Sequence, residues 1–353
     1  MTSMEEREEP TFERYRVLAK IRSGPITDLF RAEQKALGRP VLIKALGRGI
    51  LPSSPFAAAL EREASLLTEL DHPNVIRVLD FVREKTSMWL VLEHVDGFTL
   101  EDLVGKKKLS PAGAIAIALE IALGLEHAHA HGIVHRDVQP HNVLVSTGGD
   151  VKLVNFGAAT DARLPTAPEL LEGRTGFGTP AYMSPEQCRG AGAVDHRTDI
   201  YALGCVMFHL LCGRPPFIAP TPGEMIVSQV TEPPPPPSQF VPTLSPELDR
   251  LVLKCLAKDP EQRYASMTEL VRACAQFTGE NLAVPTIPPL REGERRPTGP
   301  SPAIEPPMAP RPPPSPPILI VAPEPPRPAS RLPFALLSIA LLAALVLAII
   351  AAR

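Results

Sequence analysis

Proline placement constrains this chain more than any other feature. Its 43 prolines are densest between Pro285 and Pro333, with a shorter run at Pro233–Pro237. Such a stretch lacks backbone donors and cannot bury enough apolar surface to offset its ordering entropy. Residues 279–331 are therefore expected to form a disordered Pro-rich linker, largely in extended polyproline conformation. At about 3.1 Å per residue the linker reaches on the order of 150 Å. The plain reading is a bare spacer; the alternative is a docking site for a proline-recognising partner, through runs such as Pro312-Pro313-Pro314-Ser315-Pro316-Pro317. A packed domain is thus confined to residues 12–278, behind an acidic tail at 1–11.

The stretch from Leu332 to Ala352 is apolar, with no charge between Arg331 and Arg353. About 20 apolar residues suffice to cross a bilayer as a helix, so 332–352 is expected to be a transmembrane helix. One residue, Arg353, follows it. Arg327 and Arg331 flank its near side, which agrees with the positive-inside rule. The expectation is a single-pass, tail-anchored protein of the cytoplasmic (inner) membrane, with its large domain facing the cytoplasm.

Net charge is −3, so there is no basic excess to suggest a nucleic-acid partner. Cys188, Cys205, Cys212, Cys255 and Cys274 stand singly, without a C-x-x-C pair. That spacing predicts reduced core thiols, not ligands or bridges.

Within 12–278 the periodicity changes along the chain. Arg14 to Leu18 and Leu29 to Ala32 read as strands around a turn at Ser23-Gly24-Pro25. Pro40 to Leu46 is a strand with Lys44 inside an apolar run, where a snorkelling edge lysine is the plain structural reading. Pro55 to Leu70 reads as a helix, apolar at Leu60, Ala64, Leu67 and Leu70. Met88 to Val95 is a further strand, ending at Asp96-Gly97. Ser110-Pro111 supplies an N-cap and a first-turn proline for a helix running to about His131. His127, His129 and His131 lie on it at i, i+2 spacing, which predicts different faces and argues against a shared metal ion.

The segments that carry chemistry follow in a fixed order. His72-Pro73-Asn74 follows the helix that carries Glu63. His135-Arg136-Asp137-Val138-Gln139-Pro140-His141-Asn142 comes next, and Asn155-Phe156-Gly157 begins 18 residues past Asp137. Gly178-Thr179-Pro180-Ala181-Tyr182-Met183-Ser184-Pro185-Glu186-Gln187 precedes Asp199-Ile200-Tyr201-Ala202-Leu203-Gly204, and Asp259-Pro260-Glu261-Gln262-Arg263 closes the series. Together they resemble the membrane-anchored, eukaryotic-like Ser/Thr protein kinases of bacteria. The resemblance implies an α+β, two-lobed kinase fold, with a small β-rich lobe over about 12–95 and a large helical lobe over about 96–278.

It also implies ATP, Mg²⁺ or Mn²⁺, and a protein substrate or signalling partner. Lys44, oriented by Glu63, would hold the phosphates; counting back from the HPN segment selects Glu63 over Glu61. Asp137 would orient a substrate hydroxyl and accept its proton, with Thr179 supporting it. Asn142 and Asn155 stand at the metal positions. Gly24 lies in the phosphate loop. Leu92, the hinge Glu93 to Val95, and Leu144 would surround adenine. Arg136 predicts control by phosphate on the activation segment, with Thr175 as first candidate and Thr160 and Thr166 behind it. Arg263 is expected to pair with Glu186.

Four departures from that pattern bear on activity. Asn155 stands where the family has the metal-binding aspartate. The Gly-rich loop retains only Gly24, with Arg22 and Thr27 at the other two glycine positions and Pro25 removing an N–H. Leu42 replaces a smaller residue above adenine, and Gln139 replaces a lysine beside Asp137. Two readings stay open: a Ser/Thr kinase with impaired phosphoryl transfer, and a pseudokinase scaffold or allosteric regulator that acts by binding partners.

Overall fold

The computed structural model describes residues 12–104, 109–161, 180–190 and 194–278. The acidic start, the candidates Thr166, Thr175 and Thr179, the Pro-rich stretch and the apolar stretch 332–352 lie outside the described residues.

A five-stranded antiparallel sheet builds the small lobe. Its strands are β1 (Tyr15–Ser23), β2 (Thr27–Gln34), β3 (Arg39–Leu46), β4 (Val78–Arg83) and β5 (Met88–Glu93), in the order β1-β2-β3-β5-β4. Alternation along β3 sends Val41, Ile43 and Ala45 to one face, where they pack with Phe12, Phe30, Trp89 and Val91. Leu42 and Lys44 take the other face. Because β3 lies between β2 and β5, Lys44 is not a snorkelling edge residue: its side chain is 12% exposed. Helix α1 (Pro55–Thr68) opens on a proline in its first turn and buries Ala57, Leu60, Glu63, Ala64 and Leu67 on one face. Glu63 is the one carboxylate of that face. The sequence reading missed β4, whose Val-Leu-Asp-Phe-Val run is interrupted by Asp80 and shifted in register there.

The large lobe is built around two helices. Helix α2 (Leu100–Val104) leads to α3 (Pro111–Ala130), whose N-cap Ser110 accepts a hydrogen bond from Gly113 N at 3.1 Å. Among the described residues α3 alone is long and apolar enough to cross a membrane, and most of it is buried within the fold. Short strands β6 (Gly97–Thr99), β7 (Ile133–Val134), β8 (Val143–Ser146), β9 (Val151–Leu153) and β10 (Thr160–Asp161) form two small sheets, β6-β8-β9 and β10-β7. A Cβ on Gly97 would collide with the Val145 carbonyl, so this glycine allows β6 to lie against β8. The remaining helices are α4 (Pro185–Arg189), α5 (Arg197–Cys212), α6 (Pro222–Thr231), α7 (Pro246–Cys255) and α8 (Met267–Ala275). Helix α5 is buried along nearly its whole length. An added Cβ at Gly204 would lie 2.6 Å from the Cys255 side chain, so glycine sets the close approach of α5 and α7.

Arg263 locks α4 onto this core. Its guanidinium meets Glu186 in a bidentate pair at 2.7 and 2.8 Å. It also donates to the carbonyls of Ala257, Arg197 and Lys258, so all five N–H groups are used. The Tyr201 ring lies 4.9 Å below it. Removing one partner leaves a charge buried and uncompensated. Arg263→Ala is therefore expected to cost about 3–5 kcal/mol, which lowers the melting midpoint on the order of 10 °C for a domain of this size. A calorimetric scan against the unsubstituted chain measures it.

Candidate nucleotide and phosphoryl-transfer site

Strand β3 and helix α1 bring Lys44 and Glu63 together. Lys44 Nζ donates to Glu63 Oε2 at 2.5 Å and to Asn155 Oδ1 at 2.9 Å. Glu61, two residues earlier and so on the other side of α1, instead pairs with Arg83. Glu63 Oε1 is buried and has no hydrogen-bond partner among the described residues.

From Lys44 a chain of hydrogen bonds runs across the site. Asn155 Nδ2 donates to Asn142 Oδ1 at 3.1 Å. Asn142 Nδ2 donates to the Asp137 carbonyl at 2.8 Å and to Asp137 Oδ2 at 2.7 Å. Gln139 Nε2 donates to Asp137 Oδ1 at 2.7 Å. The ends dictate the direction. An ammonium can only donate and a carboxylate can only accept, so both asparagine amides must point their oxygens toward Lys44 and their nitrogens toward Asp137. Asn155 holds its place in the left-handed region, at φ 66°, which asparagine tolerates better than most residues.

The donor set does not fit a hard dication. Mg²⁺ is typically held by one or two carboxylates together with phosphate and water. Here the two residues at the metal positions are neutral amides. Asn155 Oδ1 already accepts from an ammonium, and Asn142 Oδ1 already accepts from Asn155.

The adenine side is built from β3, β5 and β8. Leu42 lies opposite Leu92 in register, so the larger residue at 42 sits directly on the strand pair leading to the hinge. Glu93 is held by its own contacts: its Oε1 accepts from Arg77 N at 2.9 Å and pairs with Lys152 Nζ at 2.8 Å. Val95 follows within the connection to β6, and Leu144 lies on β8 opposite Thr99. Gly24 closes the β1–β2 hairpin, its N–H donating to Thr27 O at 2.9 Å.

The loop bearing Asp137 is fixed from below by Asp199. This fully buried carboxylate accepts from His129 Nε2 at 2.8 Å, from His135 N at 2.9 Å and from Arg136 N at 2.8 Å. Arg136 adopts φ 63° and donates from its guanidinium to Val194 O. The His135 ring meets Phe156 edge-on at 4.5 Å, and α1 packs on the turn that carries Phe156. Burial alone would raise the Asp199 pKa, but the His129 hydrogen bond and the backbone donors hold it below the usual carboxylate value.

Several expectations need correction. His127 and His131 do not splay apart: i, i+4 spacing puts them on one face, with ring centroids 4.5 Å apart, and His72 stacks on His127 at 5.0 Å. Only His129 turns away, toward Asp199. Among the described residues no His, Cys, Asp or Glu group is disposed to hold a metal ion. Thr160 is 6% exposed and paired in β10 with Val134, so in this arrangement its hydroxyl is not open to phosphorylation. The cysteines are unpaired, and burial pushes the Cys188 thiol up to about 11 and those of Cys212 and Cys274 up to about 12. The sequence reading did not assign roles to His129 or Gln187, whose side chain donates to Arg136 O at 2.8 Å. A buried Asp199 needing donors was the available signal.

A lowered pKa in the folded state means that Asp199 stabilises the fold above the unfolded carboxylate pKa of about 3.9. That contribution is lost as pH falls through the folded value. Asp199→Asn would place an amide N–H against converging donors. It is expected to cost about 3–5 kcal/mol at neutral pH and to flatten the acid side of the stability curve. Urea unfolding at a series of pH values from 7 to 3 measures both.

The family model for the protein kinase domain matches residues 15–274. A probable serine/threonine-protein kinase of Streptomyces coelicolor is 36% identical over 269 residues, which is 74% of this chain and 40% of that protein. The serine/threonine-protein kinase PknB of Mycolicibacterium smegmatis is 36% identical across 73% of this chain and 42% of its own length. PknB of Mycobacterium tuberculosis is 35% identical over the same shares. The chain thus spans about two-fifths of the length of these curated relatives. The family in general uses ATP and a divalent metal. With a β-sheet lobe, a helical lobe and the match over 15–274, the chain belongs to the protein kinase domain family.

Proposed function

We propose that this chain is a membrane-anchored signalling protein of the Ser/Thr kinase family that binds ATP in its cleft and has impaired phosphoryl transfer. On this reading it works chiefly by binding partners, as a scaffold or allosteric regulator. The observation that carries the reading is Asn155: its amide joins Lys44 to Asn142 at the place where transfer needs negative charge to be neutralised. Losing one preorganised electrostatic group typically costs about 10²–10³ in rate. The loss of glycines beside Gly24 and the exchange at Gln139 add to it.

Residual transfer to protein Ser/Thr hydroxyls is the second reading. The closed Lys44–Glu63 pair and the oriented Asp137 carboxylate support it. In that case Lys44 holds phosphate, and Asp137 orients the substrate hydroxyl and accepts its proton. Thr179 and Arg136 would support Asp137 and respond to phosphate at Thr175. The Pro-rich linker would reach a proline-recognising partner, and the apolar segment 332–352 would hold the kinase domain at the cytoplasmic face of the inner membrane.

The deciding measurement is the intact mass of the full chain after incubation with ATP and either Mg²⁺ or Mn²⁺. We expect no phosphate on the native chain or on Asp137→Asn, and phosphate on Asn155→Asp. Phosphate on the native chain but not on Asp137→Asn would make this a working kinase. Deleting Leu332–Arg353 is expected to move the protein from the membrane pellet to the supernatant, and a truncated chain that still pellets would overturn the anchor.

A further inference from the structure

Asparagine at 155 does more than remove a metal ligand. An aspartate at this point would set a second anion beside the phosphates of a bound nucleotide, and a dication would have to lie between them. An amide presents no such charge. Its oxygen is committed to the Lys44 ammonium and one N–H to Asn142 Oδ1. Among the described residues Nδ2 donates to Asn142 Oδ1 alone, and its second N–H is a donor of the kind a phosphate oxygen accepts. A metal ion bound at these two residues would share each oxygen with a hydrogen bond already made, one of them from an ammonium, and would gain two neutral oxygens and no negative charge in return.

We infer that the cleft takes its nucleoside di- or triphosphate free of divalent cation, with Lys44 and the Asn155 amide as the phosphate donors. This rests on the proposal that the cleft binds ATP, and it goes beyond that proposal in replacing the metal by a protein N–H. The polarity of the relay supports it, since Lys44 at one end and Asp137 at the other leave Asn155 no alternative orientation. Lys44 stays anchored by Glu63 whether or not a cation is present, so the phosphate site is assembled in advance.

Isothermal titration of the full chain with ATP and with ADP, once in EDTA and once in Mg²⁺, tests it. The native chain is expected to give dissociation constants within about threefold of each other in the two conditions, a free-energy difference of about 0.65 kcal/mol or less. Asn155→Asp is expected to bind ATP at least about tenfold more tightly with Mg²⁺ than in EDTA, because a carboxylate both repels phosphate and offers a hard ligand. Asn155→Gly, which tolerates the left-handed backbone, removes the amide and is expected to weaken binding in EDTA by about tenfold. Native binding that is tenfold weaker in EDTA overturns this inference alone and leaves the nucleotide reading standing. No binding of either nucleotide in either condition overturns both. Unchanged affinity of Asn155→Gly in EDTA overturns the role given to the amide.

Discussion

Three donors converge on the buried carboxylate of Asp199: the imidazole of His129 and the backbone N–H groups of His135 and Arg136. The imidazole comes from the end of α3 and the two N–H groups from consecutive residues of the loop that follows, while the carboxylate itself comes from the first turn of α5. This carboxylate ties α3, the loop after it and α5 to one point. Arg136 accepts a left-handed backbone there, which sets the path of the following residues. Asp137, Gln139 and Asn142 then stand in hydrogen-bonding reach of one another. The His135 ring, carried by the same loop, supports Phe156, and Phe156 in turn supports the helix that holds Glu63. The small-lobe ion pair thus depends on packing that begins at a carboxylate buried in the large lobe.

That arrangement makes the site's chemistry a question of polarity. Lys44, Asn155, Asn142 and Asp137 form one directed series from a donor-only group to an acceptor-only group. A metal ion placed between aspartate and asparagine would organise the same four positions by charge. Here hydrogen bonds link them, charge-assisted at the Lys44 and Asp137 ends and neutral between the two asparagines. On the proposed reading the arrangement would cost catalytic power, since hydrogen bonds from a neutral amide neutralise developing negative charge less well than a dication does. It leaves binding less affected, because holding a phosphate needs donors more than it needs a full positive charge. The proposed function, an impaired enzyme that still holds nucleotide, rests on that difference.

Much of the scaffold was legible from residue pattern. The apolar run around Lys44 marked a strand, the spacing of Leu60, Ala64 and Leu67 marked a helix, and Ser110-Pro111 marked its successor. The order of these elements with the Asp137, Asn155, Glu186 and Asp199 segments carried the resemblance to the kinase family. Strand β4 was lost because Asp80 breaks its apolar run at a register shift. The i, i+2 spacing of the α3 histidines hides that His127 and His131 are one turn apart and share a face. Thr160 looked like an open loop residue because nothing local reveals that its backbone pairs with Val134.

Sequence alone determined which groups this protein has for its chemistry: a lysine, a glutamate and an aspartate in kinase order, and an asparagine in place of a metal-binding carboxylate. Those are statements about composition at ordered positions, and covalent connectivity carries them. Tertiary structure decided what the asparagine does. Residues 44, 142 and 155 are far apart in the chain, and only folding of both lobes brings an ammonium to one side of the Asn155 amide and a carbonyl oxygen to the other. An amide has two unlike ends, so its neighbours, not its identity, determine whether it offers oxygen to a cation or nitrogen to an anion.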